Sequence, residues 1–192
     1  MPVTAVAAGA LAVVFAMAVA GKVSSPSFTR FRRSAAALWP GPGRLGARTA
    51  AALAAAVLLL EAAVTGGLLW WLLHLATGAV PEPPVRAVLA AAVALLAAFT
   101  AAQLVALRRG RTVTCACFGR ADAPVSRVGV ARNAVLIALG VLGAVAADRP
   151  GPIALSLVCA VAGGVAGPIV ASLEDIVSLF RIPQAPARGT GR

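Results

Sequence analysis

AVLAAAVALLAAFTAAQLVAL, residues 87–107, is a run without a single charged side chain, and it leads straight into Arg108-Arg109-Gly110-Arg111. About 20 apolar residues in a helix cross the roughly 30 Å of hydrocarbon in a bilayer. A sharp basic stop after such a run is how a membrane span ends. Four other stretches read the same way: Val3 to Ala20, Thr49 to Ala76, Val128 to Ala147, and Pro152 to Leu173. Composition agrees. Hydrophobic residues make up 60% and charged residues 12% of the chain, too few polar side chains to coat a water-exposed domain of this size. The fold class expected is all-α, an integral membrane bundle of about five helices over residues 1–173. A polar, disordered tail is expected over 174–192.

The first stretch ends in Ala18-Val19-Ala20, which looks like a signal-peptidase site, but no Lys or Arg precedes its apolar run. A signal peptide needs that basic n-region, so an uncleaved helix is expected.

The net charge of +11 is distributed unevenly. After the first span come Lys22, Arg30, Arg32, Arg33, Arg44 and Arg48; after the third come Arg108, Arg109, Arg111, Arg120 and Arg127; the tail adds Arg181, Arg188 and Arg192. Five spans put all three segments on one side. The other side holds Arg86 and Arg149 against Glu82 and Asp148. Positive charge favours the cytoplasmic side, which predicts a multi-pass protein of the cell membrane with its N-terminus outside and its C-terminus in the cytoplasm. Arginines between apolar spans answer to anionic headgroups, which argues against nucleic acid as a partner and for the lipid bilayer.

Within the first basic segment, Ser25 before Pro26 predicts a capped helix start. Phe28, Phe31, Leu38 and Trp39 fall on one face of that helix, and Arg30, Arg32 and Arg33 largely on another. An amphipathic helix lying in the interface, aromatic side toward the bilayer, is expected up to Pro40-Gly41-Pro42-Gly43. The stretch from Thr77 to Arg86, with Pro81, Pro83 and Pro84, reads as a stiff turn.

Few residues can carry chemistry. Cys115 and Cys117 bracket one alanine in the arginine-rich segment after the third span. Nearby guanidinium groups, Arg111 and Arg120 among them, favour the thiolate, the form that attacks disulfides. Thiols two residues apart can close a strained, easily reduced disulfide that stabilises little. A redox pair, a pair of inert loop thiols, and half of a soft-metal site are all consistent with this spacing; the only histidine, His74, lies near the far end of the second span. Cys159, alone in the fifth span, reads as packing. His74 beside Trp70 and Trp71 reads as an interfacial anchor.

Glu61 is the acidic residue deep inside a span, where an ionisable group marks function by default. It is expected to be protonated or paired, with Thr100, Gln103, Arg132 and Asn133 near the same end of the bundle. Glu61 and Arg132 are candidates for a polar cluster that shuttles a proton or holds the helices together.

Together these residues resemble the methylamine utilisation protein MauE family of DoxX-like membrane proteins. The resemblance runs in order: Gly21-Lys22 with Ser24-Ser25-Pro26 and Phe28, then Glu61, Phe99-Thr100, Arg109-Gly110-Arg111, Cys115-Ala116-Cys117-Phe118-Gly119, Ser126 and Arg132-Asn133. The Cys-x-Cys-Phe-Gly element after Arg-Gly-Arg is its most specific part. The resemblance implies a role in processing, transport or maturation of the small subunit of methylamine dehydrogenase, a periplasmic, disulfide-rich protein. It implies a thioredoxin-like partner, with Cys115 and Cys117 as the redox pair of a thiol–disulfide oxidoreductase. A quinone is a candidate electron acceptor, though no motif marks one. Two readings from other classes stay open. In one, a small transporter or assembly factor depends on Glu61 while the cysteines are incidental; in the other, the chain is a purely structural partner subunit.

Overall fold

The computed structural model describes residues 1–39, 45–78, 84–110, 126–149 and 151–173. They form six helices and no strand: α1 (Pro2–Ala20), α2 (Ser25–Leu38), α3 (Ala47–Thr77), α4 (Val85–Arg108), α5 (Arg127–Val145) and α6 (Ile153–Ala171). All but α2 are long and apolar enough to cross a membrane, and they match the five expected stretches to within a few residues. The expected Pro40–Gly43 stop, much of the Thr77–Arg86 turn, the Cys115–Cys117 pair with Arg111 and Arg120, and the tail from 174 all fall outside the described residues.

α1 is the central helix. Ala5, Ala7, Ala8, Leu11, Val14 and Phe15 are buried among α3, α5 and α6. Oil-like lipid gives helices no hydrophobic reason to associate, so close packing of small residues must supply it. The α1–α6 seam does this. Gly9 lies against the Ala160 carbonyl and Gly163 against that of Val6, and a Cβ on Gly167 would lie 2.6 Å from the Ala10 oxygen. Backbone meets backbone there. The Thr4 hydroxyl donates to the Gly143 carbonyl at 3.0 Å and ties α1 to α5.

α4 and α5 run antiparallel in a readable register. Val93 meets Gly140, Leu89 meets Gly143, and Arg86 pairs with Asp148. Extending that register places Leu107 level with Ser126, so both helices end at the same face. α5 starts on a side-chain cap, the Ser126 hydroxyl accepting from the Gly129 amide at 3.0 Å. α3 ends at Gly78, whose φ of 74° lets its amide turn back onto the His74 and Leu75 carbonyls. Met1, Gly78, Val85 and Ile153 therefore share one end of the bundle, and Ala20, Arg108, Arg127 and Ala171 point to the other, arginine-rich end.

α2 differs from expectation at its start. Ser24 occupies the cap position, its hydroxyl makes no capping bond, and Ser25 is the first helical residue. Its aromatic face is turned to protein: Phe31 is buried against Ala54, flanked by Phe28 and Val57. α2 thus packs across the first turns of α3 and onto α4.

Candidate functional site

Almost every residue of α3 is apolar, so burial is read from the spacing of what it packs. Ala50, Ala54, Glu61, Val64, Leu68, Trp71 and Leu75 form one buried stripe at intervals of three, four and seven. Glu61 lies in the middle of that stripe, so its carboxylate must meet the bundle interior. The same holds on the neighbours. Gln103 continues the buried row Leu89, Ala92, Leu96 on α4, and Arg132 and Asn133 lie on the buried row Gly129, Leu136, Gly140 on α5. Polar side chains in these spans mark inward faces, as the cost of exposing them to lipid requires.

The partner of Glu61 is Lys22. The ammonium donates to both carboxylate oxygens, at 2.7 and 2.8 Å, and each side chain is 1% exposed. Lys22 lies just past the end of α1, in the turn closed by its own amide on the Val19 carbonyl. Its Nζ stands 4.9 Å from the centre of the Phe31 ring and 6.0 Å from that of Phe99, positions where aromatic faces attract a cation. One ion pair therefore fastens α1, α2, α3 and α4 at a single point. Phe99 precedes Arg108 by nine residues on α4, which puts the pair about 14 Å inside the arginine-rich end.

Arg132 and Glu61 are not joined. The guanidinium of Arg132 donates instead to the Ala171 carbonyl at 3.1 Å, holding α5 to the end of α6. Asn133 is fully buried, and its amide makes no hydrogen bond among the described residues. By the α4–α5 register it lies level with Thr100, whose hydroxyl is turned to the Leu96 carbonyl at 2.7 Å. Gln103 lies one turn nearer the arginine-rich end. The buried polar side chains thus fall in two separate groups: the Lys22–Glu61 pair between the end of α1 and α3, and Gln103, Arg132 and Asn133 on α4 and α5.

Lys22 is the residue the sequence reading passed over as one more positive charge. A signal was present. It is the only lysine among 17 basic residues, directly after a span. A flexible stem with a compact head can turn back into the bundle where a guanidinium fork fits poorly. Elsewhere, the His74 ring meets that of Trp70 at a tilt of 46° with ring centres 4.2 Å apart and shares a 2.9 Å hydrogen bond with the Trp70 carbonyl, far from this site. Cys159 is half-buried against the core.

The family model for methylamine utilisation protein MauE matches residues 1–146, from the start of α1 through α5 and across the cysteine segment. The chain belongs to the MauE family. Membership makes it a membrane protein of methylamine utilisation, in keeping with its five apolar helices. No curated protein and no solved structure matches the chain.

Proposed function

We propose that this MauE-family chain exchanges thiols and disulfides with a thioredoxin-like partner during maturation of a disulfide-containing client such as the methylamine dehydrogenase small subunit. The observation that supports this most is the position of the Cys115-Ala116-Cys117 segment. It lies inside the family match, in the stretch joining α4 to α5, whose ends the helix register brings to one arginine-rich face. The arginines of that segment, Arg111 and Arg120, favour thiolates.

The exchange balances without a cofactor. A Cys117 thiolate attacks the partner's disulfide, forming a mixed disulfide and releasing one partner thiolate. Cys115 then attacks the sulfur of Cys117, releasing the second partner thiolate. The partner gains two electrons, and the Cys115–Cys117 pair loses them; the reverse sequence oxidises the partner. The buried Lys22–Glu61 pair and the Arg132–Ala171 bond hold the helices that carry this segment. The charge bias favours the cytoplasmic side for this segment, so service to a periplasmic client requires that electrons be relayed across the membrane.

Trapping tests the reading. In a Cys159→Ala background, Cys115→Ser should accumulate a reductant-sensitive adduct through Cys117, identifiable by mass spectrometry as a thioredoxin-like protein. An impermeant thiol reagent should label the pair only after permeabilisation. Full function of the variant lacking both Cys115 and Cys117 would overturn the proposal. It would favour the transporter or assembly reading, which the buried Lys22–Glu61 pair supports independently.

A further inference from the structure

A cavity of about 330 Å³ opens between α2, α3 and α4, and Phe31 and Phe99, the two rings that flank Lys22, form part of its wall. Its lining is apolar apart from the Ser34 hydroxyl, so it offers little to a polar ligand. A different face of α4, the one turned to α5, carries the polar chemistry.

Asn133 is the only asparagine in the chain, and it is fully buried on α5. Neither its amide oxygen nor its amide nitrogen has a hydrogen-bond partner among the described residues. Exchanging the two atoms by a flip of the amide changes nothing, because both lack a partner. Its surroundings follow from Gly140, two turns further along α5. A Cβ on Gly140 would lie 2.7 Å from Val93 Cγ2 of α4 and 3.3 Å from Leu11 Cδ1 of α1. Seven residues nearer the arginine-rich end, the same three helix faces bring Thr100 and Ala18 to Asn133. Ala18 contributes only a methyl group, so Thr100 is the polar side chain facing the amide. The Thr100 hydroxyl hydrogen is committed to the Leu96 carbonyl at 2.7 Å, which leaves its oxygen able to accept.

An amide that must both donate and accept, opposite an oxygen that can accept, matches a molecule with two donors and an acceptor. Water is that molecule, and buried waters make about three hydrogen bonds to polar groups otherwise without partners. A divalent cation would find two neutral oxygens and no carboxylate in this set. We infer that Asn133 and Thr100 form an internal water site bridging α5 and α4. The water accepts from Asn133 Nδ2, donates one hydrogen to Asn133 Oδ1 and donates the other to Thr100 Oγ1. Thr100 precedes Arg108 by eight residues, so the bridge lies about 12 Å inside the arginine-rich end. It joins α4 and α5 about two turns before they give way to the stretch that contains Cys115 and Cys117. The site stands whether or not those cysteines exchange disulfides.

Stability alone does not reveal it. Asn133→Leu gives up the water together with the amide, and removing both partners of a hydrogen bond is close to neutral. The test instead uses the full chain in lipid bilayers with asparagine isotopically labelled on its side-chain nitrogen, so that one amide signal reports on position 133. Solid-state NMR should show dipolar transfer to that amide from a bound water. Thr100→Val, which keeps the shape but not the oxygen, should lose most of the transfer, and Thr100→Ser should retain it. The central measurement needs only the unaltered chain, so a misfolded variant does not spoil it. An amide signal without transfer from water would overturn the site, including the case in which Thr100→Val shifts that signal and so reveals a direct Asn133–Thr100 bond. Transfer that persists unchanged in Thr100→Val would overturn the bridge to α4.

Discussion

Where α1 meets α6, three glycines let one backbone rest on another, and the close contacts there are with backbone carbonyls. Where α1 ends, the packing turns polar: Lys22 and Glu61 are buried face to face, with Asn133, Gln103 and Arg132 in the neighbouring helices. Both regions join helices, but the cost of doing so differs. Small residues hold helices together in lipid at almost no desolvation cost. A buried ion pair must recover several kcal/mol of lost hydration per charge before it stabilises anything. A chain able to build the first kind of contact has no need of the second for cohesion alone. The polar end is therefore where a role beyond cohesion is to be tested, and the glycine seam where cohesion itself is.

The sharpest way to break this contrast is at the seam. Gly163→Leu drives a side chain into the Val6 carbonyl, and neither backbone can retreat without parting α1 from α6. A loss of about 3 kcal/mol or more is expected, the upper end of over-packing costs. It should appear in detergent as aggregation or a large fall in Tm. Gly66→Ala is the control, since a Cβ there meets nothing within 4 Å. It should leave stability unchanged or raise it by up to about 1 kcal/mol.

At the polar end, Glu61→Gln leaves the Lys22 ammonium buried without its counter-charge, at a cost of about 3–5 kcal/mol. Lys22→Met alone strands the carboxylate and should cost a similar amount. Joining Lys22→Met to Glu61→Leu removes both charges and should restore most of the stability, because the desolvation cost disappears with them. Thermal unfolding of the unaltered chain, Lys22→Met, Glu61→Leu and the double variant gives the cycle, and an activity assay on the double variant separates the roles. A stable double variant without activity assigns the pair to the mechanism. A stable and active one makes the pair a helix fastener.

The five spans were legible because the bilayer imposes length and apolarity together, and Ala87–Leu107 satisfies both without interruption. The inward faces were not. In α3 the residues facing lipid and those facing α1 are equally apolar, Leu59 at 70% exposure and Leu68 at none, so hydropathy carries no periodic signal. Glu61 breaks that symmetry, and it is buried against Lys22. The position of its partner is not legible in the sequence, because Lys22 beside a span has the same pattern as the headgroup-facing arginines around it. What decided the matter was tertiary: α3 continues about 21 Å past Glu61 toward the arginine-rich end, so the turn after α1 falls opposite Glu61. Cys115 and Cys117 lie outside the described residues, and their role rests on the family match and on chemistry.

Asn133 sharpens the contrast by a smaller amount. Its fully buried amide has no hydrogen bond among the described residues, and such a group costs about 1–3 kcal/mol relative to one that is satisfied. Asn133→Leu keeps the branched shape and removes that cost, with a small increase in volume. The variant is expected to unfold no more easily than the unaltered chain, and up to about 1 kcal/mol less easily, as read by Tm in detergent. A clear fall in Tm would show that the amide has a partner after all and serves the fold rather than the site.

The smallest effect belongs to the second ion pair, at the opposite end. Arg86 meets Asp148 across α4 and α5, and the guanidinium also reaches the Ala144 carbonyl at 3.2 Å. The charges match those of Lys22 and Glu61 in sign, but these side chains are 54% and 76% exposed. Water and salt screen such a pair, and holding two long side chains in place offsets most of what remains. Arg86→Gln should therefore cost no more than about 1 kcal/mol, and the difference should shrink further as salt is raised. Measuring Tm at low and high ionic strength for Arg86→Gln and Glu61→Gln side by side isolates burial as the variable. The loss at Glu61 should persist in salt, because ions do not reach a pair enclosed by Phe31, Phe99 and the helices around it. A salt-sensitive loss at Glu61 would mean that water enters from the cavity side, and the polar end would then be an open site rather than a sealed one.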